Sequence, residues 1–278
     1  MKRKEEIRRI VVALDASPHS RAALKAAAQL AAELQAELLG MFVEDINLLR
    51  SAELPCAREV AYATRSTRSL DSRRLERALR AQAAELQQML AVIAQGRKIR
   101  WTFRVARGRV ATELLAAAQE GDMLVLGRIG TSVVQRARLG STAQTVISTA
   151  RHTVVFLEHG VELGTPVLVL FDGSENALRA LATAARLARG DSLNLVVLVA
   201  GTDADAYQRL LQQVTNWLTE HDQHARIRPV ATGIASLAQA VREEGGKALV
   251  LASDHTFAEQ KTLCDLMEQV RCPVVRVN

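Results

Sequence analysis

The residues best suited to ligand chemistry lie in one stretch, Gly127-x2-Gly130-x9-Gly140-Ser141-Thr142, which also carries Arg128, Arg136 and Arg138. Glycine lets a backbone approach a bulky anion and adopt positive φ. A Ser-Thr pair opening a helix offers unpaired N–H groups, a favourable dipole and two hydroxyls to a phosphate. Arginine adds charge. A second stretch, Asp15-Ala16-Ser17, ends the apolar run IVVAL and puts a carboxylate at a helix start. Each has a plainer reading. Ser141-Thr-Ala-Gln144 has the form of a capping box, Gly127 could merely end a strand, and Asp15 could merely support its helix.

The elements that position these stretches occur twice. IVVALDASPHSRAALKAAAQLAAELQAELLGMFV aligns without gaps on VLVLFDGSENALRALATAARLARGDSLNLVVLVA at an offset of 157, placing Asp15 on Asp172, Ser17 on Ser174 and Leu38 on Leu195. GDMLVLGR (121–128) matches GKALVLAS (246–253) at an offset of 125, and RHTVVFL (151–157) matches RCPVVRV (271–277) at 120. The falling offset means an insertion of 32 residues in the first half, then a loop after strand four longer by five. Two homologous units follow, 1–160 and 165–278.

Short continuous apolar runs read as parallel strands buried on both faces. The Ala- and Leu-rich segments between them have helical spacing. Residues 72–95 carry Leu75, Leu79, Leu86, Leu90 and Ile93 on one face, and Ser17-Pro18 is a good N-cap and N1 pair. Alternation of strand and helix predicts an α/β fold, two tandem doubly wound domains of five parallel strands each. Ligands of such sheets bind beyond the strand carboxyl ends at the switch in strand order. That crevice lies between strands one and four, whose ends are Asp15-Ala16-Ser17 and Gly127–Gly130.

Neither G-x-G-x-x-G, a Walker P-loop nor a G-x-S-x-G elbow is found. The G-x2-G-x9-G-[S/T] spacing after strand four, with D-x-S after strand one, resembles the universal stress protein family in its ATP-binding branch. The resemblance extends over nearly the whole chain as a tandem pair. It implies ATP, with or without Mg²⁺, held by Gly127, Arg128, Gly130, Arg138, Gly140, Ser141 and Thr142 at the phosphates. It also implies Asp15 at the ribose or adenine end, Val43 lining the adenine pocket, and Ala13, Ala16 and Leu126 as walls. The implied role is regulatory: occupancy orders the 127–142 loop and alters a surface read by an unknown protein partner. No catalytic base is aimed at a γ-phosphate, so any hydrolysis would be slow. Alternatives are a nucleotide-free interaction module, or a flavin-binding or adenylate-forming relative of the fold, although the SGG-x-D-S loop of the latter is missing.

The second half departs from the pattern. Ala252-Ser-Asp254-His255 replaces Gly127–Gly130, and Asp254 would repel a phosphate. One nucleotide per chain is therefore expected. The resemblance also implies that the halves pair through their last strands as an intrachain pseudo-dimer, with homodimerisation left open.

The chain of 278 residues has a net charge of +6 and a pI near 9.6, which favours anionic partners. The arginine-rich segment 64–80 lacks interleaved aromatics, so it reads as a solvated helix face rather than a nucleic-acid surface. Three scattered cysteines suggest a reducing cytoplasm. No apolar run is long enough for a membrane helix. His221 and His224 share a helix end but make a poor metal site.

Overall fold

A computed structural model of the chain describes residues 7–278 apart from 16, 61–66, 120–121, 129–138, 159–160, 162, 189–193 and 202. Its first half runs β1 (Arg9–Leu14), α1 (Pro18–Leu34), β2 (Glu37–Asp45), α2 (Ile46–Ala52), a hairpin of β3 (Arg58–Val60) and β4 (Thr67–Ser69), and α3 (Ser72–Arg97). It continues with β5 (Trp101–Gly108), α4 (Val110–Ala117), β6 (Asp122–Gly127), α5 (Ser141–Thr149) and β7 (Thr153–Leu157). The second half repeats the plan without the insertion. It comprises β8 (Val167–Phe171), α6 (Glu175–Leu187), β9 (Leu195–Val199), α7 (Ala204–Glu220), β10 (Arg226–Pro229), α8 (Ile234–Glu243), β11 (Ala248–Ala252), α9 (Gln260–Gln269) and β12 (Val274–Val277).

All strands but the hairpin join one ten-stranded sheet, in the order β10-β9-β8-β11-β12-β7-β6-β1-β2-β5. Pairing is parallel within each half, and the halves meet through antiparallel β7 and β12. The last strands thus form the seam, as the family resemblance implies. Strand register repeats as well: Ile10 faces Leu38 as Val167 faces Leu195, and Leu124 faces Val154 as Leu249 faces Val274. The sequence offsets therefore correspond to equivalent positions in space. The insertion holds α2, the hairpin and a lengthened α3.

The central strands are buried along their length because helices cover both sheet faces. Helices α1, α3, α6 and α7 pack on one side, α4, α5, α8 and α9 on the other. Leu79, Leu86 and Leu90 of α3 are buried, with Leu75 and Ile93 half-buried beside them, as the 3.6-residue spacing requires. The arginines at 73, 74, 77 and 80 lie on the exposed face of this helix. At the opposite end of the strands from the crevice, Arg9 Nε donates to Asp122 Oδ2 at 3.1 Å, tying the start of β1 to the start of β6. Among the described residues, no helix is long and apolar enough to cross a membrane.

Candidate functional site

The site begins at a hydrogen-bonded knot where β1 becomes α1. Asp15 Oδ1 accepts from the Ser17 N–H at 2.9 Å and from the Ser17 hydroxyl at 2.5 Å. Ser17 Oγ in turn accepts from the Ser20 N–H at 3.1 Å, and Ser20 Oγ accepts from the Asp15 N–H at 2.8 Å. The Asp15, Ser17 and Ser20 N–H groups and the Ser17 hydroxyl all find acceptors within this turn, which fixes the Asp15 side chain. Its second oxygen, Oδ2, has no protein partner among the described residues. Asp15 therefore supports its helix and also presents a carboxylate to whatever lies beyond the strand end.

The opposite wall is the β6–α5 connection. Its mouth is clasped by backbone bonds: the Arg128 N–H donates to the Leu157 carbonyl at 2.7 Å, and the Gly140 N–H donates to the Arg128 carbonyl at 3.0 Å. Gly140 is the N-cap of α5, with no side-chain cap bond and no acidic residue in the first turn. The first-turn N–H groups of Ser141, Thr142 and Ala143 thus have no intrahelical acceptor, and among the described residues no side chain caps the positive end of the helix. The capping-box reading of Ser141-Thr-Ala-Gln144 is corrected here. The helix starts one residue earlier than that motif needs, so Ser141 lies inside it, and Gln144 Nε2 donates to the Leu139 carbonyl at 3.0 Å instead.

Between these walls lies a cleft of about 460 Å³, which falls within the size range of small-molecule sites. Ala13, Asp15, Val43, Leu126 and Gly127 line it, as do Gly140, Ser141 and Thr142. Ala16, Gly130, Arg136 and Arg138 fall outside the described residues. Arg128 requires a correction. Its guanidinium leaves the cleft for the seam, where Nη1 donates to Glu158 Oε2 at 3.0 Å and to the Met267 carbonyl at 2.8 Å. A half-buried guanidinium needs such partners, and at that position the other half supplies one of them. No lysine or arginine occurs among the described residues that line the cleft.

The cleft is polar at the α5 end and mostly apolar at the β2 end, where the Asp45 carboxylate closing β2 also lines it. Leu75, Ala78 and Leu79 of α3 form a lid-like wall, with Gln82 beside them, facing Met41 and Phe42. The first two leucines stood out in the sequence as a core face, but nothing in the spacing said that the insertion would bring them to the crevice. β2 also runs past β1: Phe42 is the last residue paired with Leu14, whereas Val43, Glu44 and Asp45 remain paired only with β5. The β1-facing edge of Val43–Asp45 is left without a strand neighbour, so its main-chain groups are available to a planar heterocycle.

The corresponding place in the second half is built differently. Asp172 Oδ1 accepts from the Ser174 N–H at 2.9 Å and Ser174 Oγ from the Ala177 N–H at 3.0 Å, repeating the knot. Beyond it, His255 Nε2 stands 3.9 Å from Asp172 Oδ2, while His255 Nδ1 accepts from the Phe257 N–H. Burial holds the imidazole below its ordinary pKa, outweighing the pull of Asp172 and Asp254. The residue facing the carboxylate is thus His255, whereas Asp254 is exposed. Helix α7 closes the other side: a Cβ on Gly173 would meet Leu210 Cδ2 at 2.5 Å and Gln213 Oε1 at 3.0 Å. Gly173, at φ +85°, gives the close approach that this packing needs. Helix α9 also starts with a carboxylate, Glu259, at its N-cap.

A doubly wound sheet with an open crevice between its first and fourth strands, floored by a D-x-S knot and walled by the N-terminus of α5, defines an α/β protein of the nucleotide-fold type. The profile of the universal stress protein family matches residues 6–157, more than half of the chain, which therefore belongs to that family. A universal stress protein from Archaeoglobus fulgidus has a similar fold, with a TM-score of 0.72 at 18% identity, covering 98% of this chain and 96% of that one. A functionally unknown protein from Pseudomonas aeruginosa gives 0.59 at 15% identity, covering 98% and 92%. At such identities the likeness is one of fold. No curated protein matches the chain significantly by sequence.

Proposed function

We propose that this universal stress protein is a regulatory, non-catalytic binder of ATP, with one nucleotide in the cleft of its first unit. The two units are residues 1–160 and 165–278, and the second serves without a phosphate site. The observation that carries the proposal is the polarity of the 460 Å³ cleft. The N-terminus of α5 at one end suits a polyphosphate. The open edge of β2, set among Leu75, Leu79 and Met41, suits a flat base at the other. Asp15 Oδ2 stands between them, able to accept from a ribose hydroxyl.

The described lining offers no cation, so the α5 amides and a Mg²⁺ carried in with the phosphates would balance the triphosphate charge. Gly127, Gly140, Ser141 and Thr142 form the phosphate end, together with Gly130 and Arg138. Ala13, Ala16, Val43 and Leu126 form the walls of the base end. Arg128 contributes its backbone. We place the protein in the cytoplasm, where adenine nucleotides are abundant and its thiols remain reduced.

Isothermal titration calorimetry of the full chain with Mg-ATP, alongside native mass spectrometry of the purified protein, tests this reading. The expected result is one site per chain, with AMP binding more weakly because it leaves the α5 end unfilled. Absence of heat and of thermal stabilisation with millimolar Mg-ATP would overturn it, and a yellow protein with bound flavin would replace it.

A further inference from the structure

We propose that occupancy of the first-half cleft is transmitted to the second half across the seam, through two arginines that each hold a helix end of the opposite half. The proposal rests on the ATP reading above and names the reader of that site as α9 and β12. Arg128 of the first half donates to the Met267 carbonyl near the end of α9 at 2.8 Å. Arg276 of β12 donates to the Ala150 carbonyl at the C-cap of α5 at 3.4 Å. Both carbonyls lie at helix C-termini, where acceptors are left over and the dipole favours a cation. A third link joins the helices directly, Ser148 Oγ donating to Gln260 Oε1 at 3.0 Å.

Duplication of the fold does not explain these contacts. At the repeat offsets the counterpart of Arg128 is Ser253, which bonds to Asn278 Oδ1, and the counterpart of Arg276 is Phe156. Neither arginine bond has a mate across the pseudo-twofold, so each is particular to its own half.

Their placement ties them to the cleft. Arg128 directly follows Gly127, and its carbonyl accepts from the Gly140 N–H at 3.0 Å. A phosphate drawn to Gly140–Thr142 therefore acts on the clasp whose side chain grips α9. Helix α5 carries the same signal along its length, with the phosphate end at Ser141 and the Arg276-held end at Ala150. Arg276 has little freedom to let go. Burial lowers its pKa, its Nε is buried without a partner, and the Ala150 carbonyl is its single hydrogen-bond acceptor among the described residues. A shift of α5 leaves this guanidinium either to follow or to remain uncompensated, which low-dielectric surroundings penalise.

Hydrogen exchange of the full chain with and without Mg-ATP, run beside calorimetry on the same samples, tests the coupling. In the natural chain, saturating Mg-ATP should slow exchange in 260–269 by about fivefold or more, the lower end of ordinary coupling factors. Arg128→Gln should lose most of that effect. Because Arg128 is half-buried at the seam and its loss can unfold the chain, the exposed pair Ser148→Ala and Gln260→Ala provides a second test, with the slowing cut at least about twofold. Binding with unchanged exchange in 260–269 overturns the coupling and leaves the ATP reading intact. So does a variant set that binds and slows α9 to the full extent. No heat with Mg-ATP in the natural chain overturns the ATP reading itself, and the coupling with it.

Discussion

Asp15 and Asp172 occupy equivalent knots, each accepting from the Ser N–H two residues on, yet one faces an open cleft and the other faces His255. The second half shows what the fold needs in order to close: the D-x-S turn, buried strands and a helix after strand four. It does so with the four residues 252–255 and a short helical turn at Thr256–Ala258 where the first half has the long Gly-bearing stretch. Stability therefore does not require Gly127-x2-Gly130-x9-Gly140. The same comparison separates the roles of the helices over the crevice. Leu210 and Gln213 of α7 press against Gly173, while Leu75 and Leu79 of α3 line a space. One sequence has kept the scaffold twice and changed what stands against the strand-end carboxylate.

The sharpest way to break the contrast is to make the first half electrostatically like the second. Ser141→Glu puts a carboxylate at the start of α5, where α9 has Glu259. Two like charges about 4 Å apart near a protein surface repel by about 4 kcal/mol at an effective dielectric of 20, so Mg-ATP affinity should fall by about 100-fold or more. An acidic residue in a helix first turn stabilises it by about 0.3–1 kcal/mol, so Tm without nucleotide should hold or rise. Calorimetry and thermal melts decide this together. Affinity retained at the natural level would remove the phosphate from α5.

The next test uses both halves at once. Asp15→Asn and Asp172→Asn each keep an oxygen that accepts the Ser N–H, so each should cost less than about 1 kcal/mol of stability. Only Asp15→Asn should lower ATP affinity, by about tenfold, the loss of one hydrogen bond to a charged acceptor. Equal effects of the two substitutions on binding would mean that the halves share the ligand.

Much of this contrast was legible in the sequence. The offset of 157 contains the strand register, because gapless repetition of IVVAL and VLVLF puts the same residues opposite each other. Asp15 and Gly140–Thr142 could be placed because strand ends and helix starts carry their own signatures, whereas Val43, which lies two residues before the end of β2, follows from the family resemblance. Three things escaped it. The insertion reads as a helix, but its docking over the crevice depends on which face of α3 meets β2. Arg128 looks like a phosphate ligand until the seam brings Met267 within reach, a contact between residues 139 positions apart. Ser141-Thr-Ala-Gln144 fits a capping box in type and spacing, yet a one-residue shift of the helix start sends Gln144 to Leu139. Local pattern fixes elements well; long-range approach and single-residue phase are tertiary outcomes.

The smallest expected effect tests why the second crevice stays shut. Desolvation lowers the His255 pKa from its ordinary 6.5, and Asp172 and Asp254 only partly offset it. The folded protein therefore prefers the neutral ring, and the unfolded chain takes up a proton first as pH falls. This contribution to stability is complete above the unfolded value and is lost as pH drops below it toward the folded one. His255→Gln keeps a polar side chain without a titrating group, so its thermal stability should be flatter than that of the natural chain between pH 7 and about 5. ATP affinity at neutral pH should not change, since the ring stands against Asp172 and not Asp15. If the two melting profiles ran parallel through that range, His255 would not be the group that holds the second crevice closed, and the packing of Leu210 against Gly173 would have to close it alone.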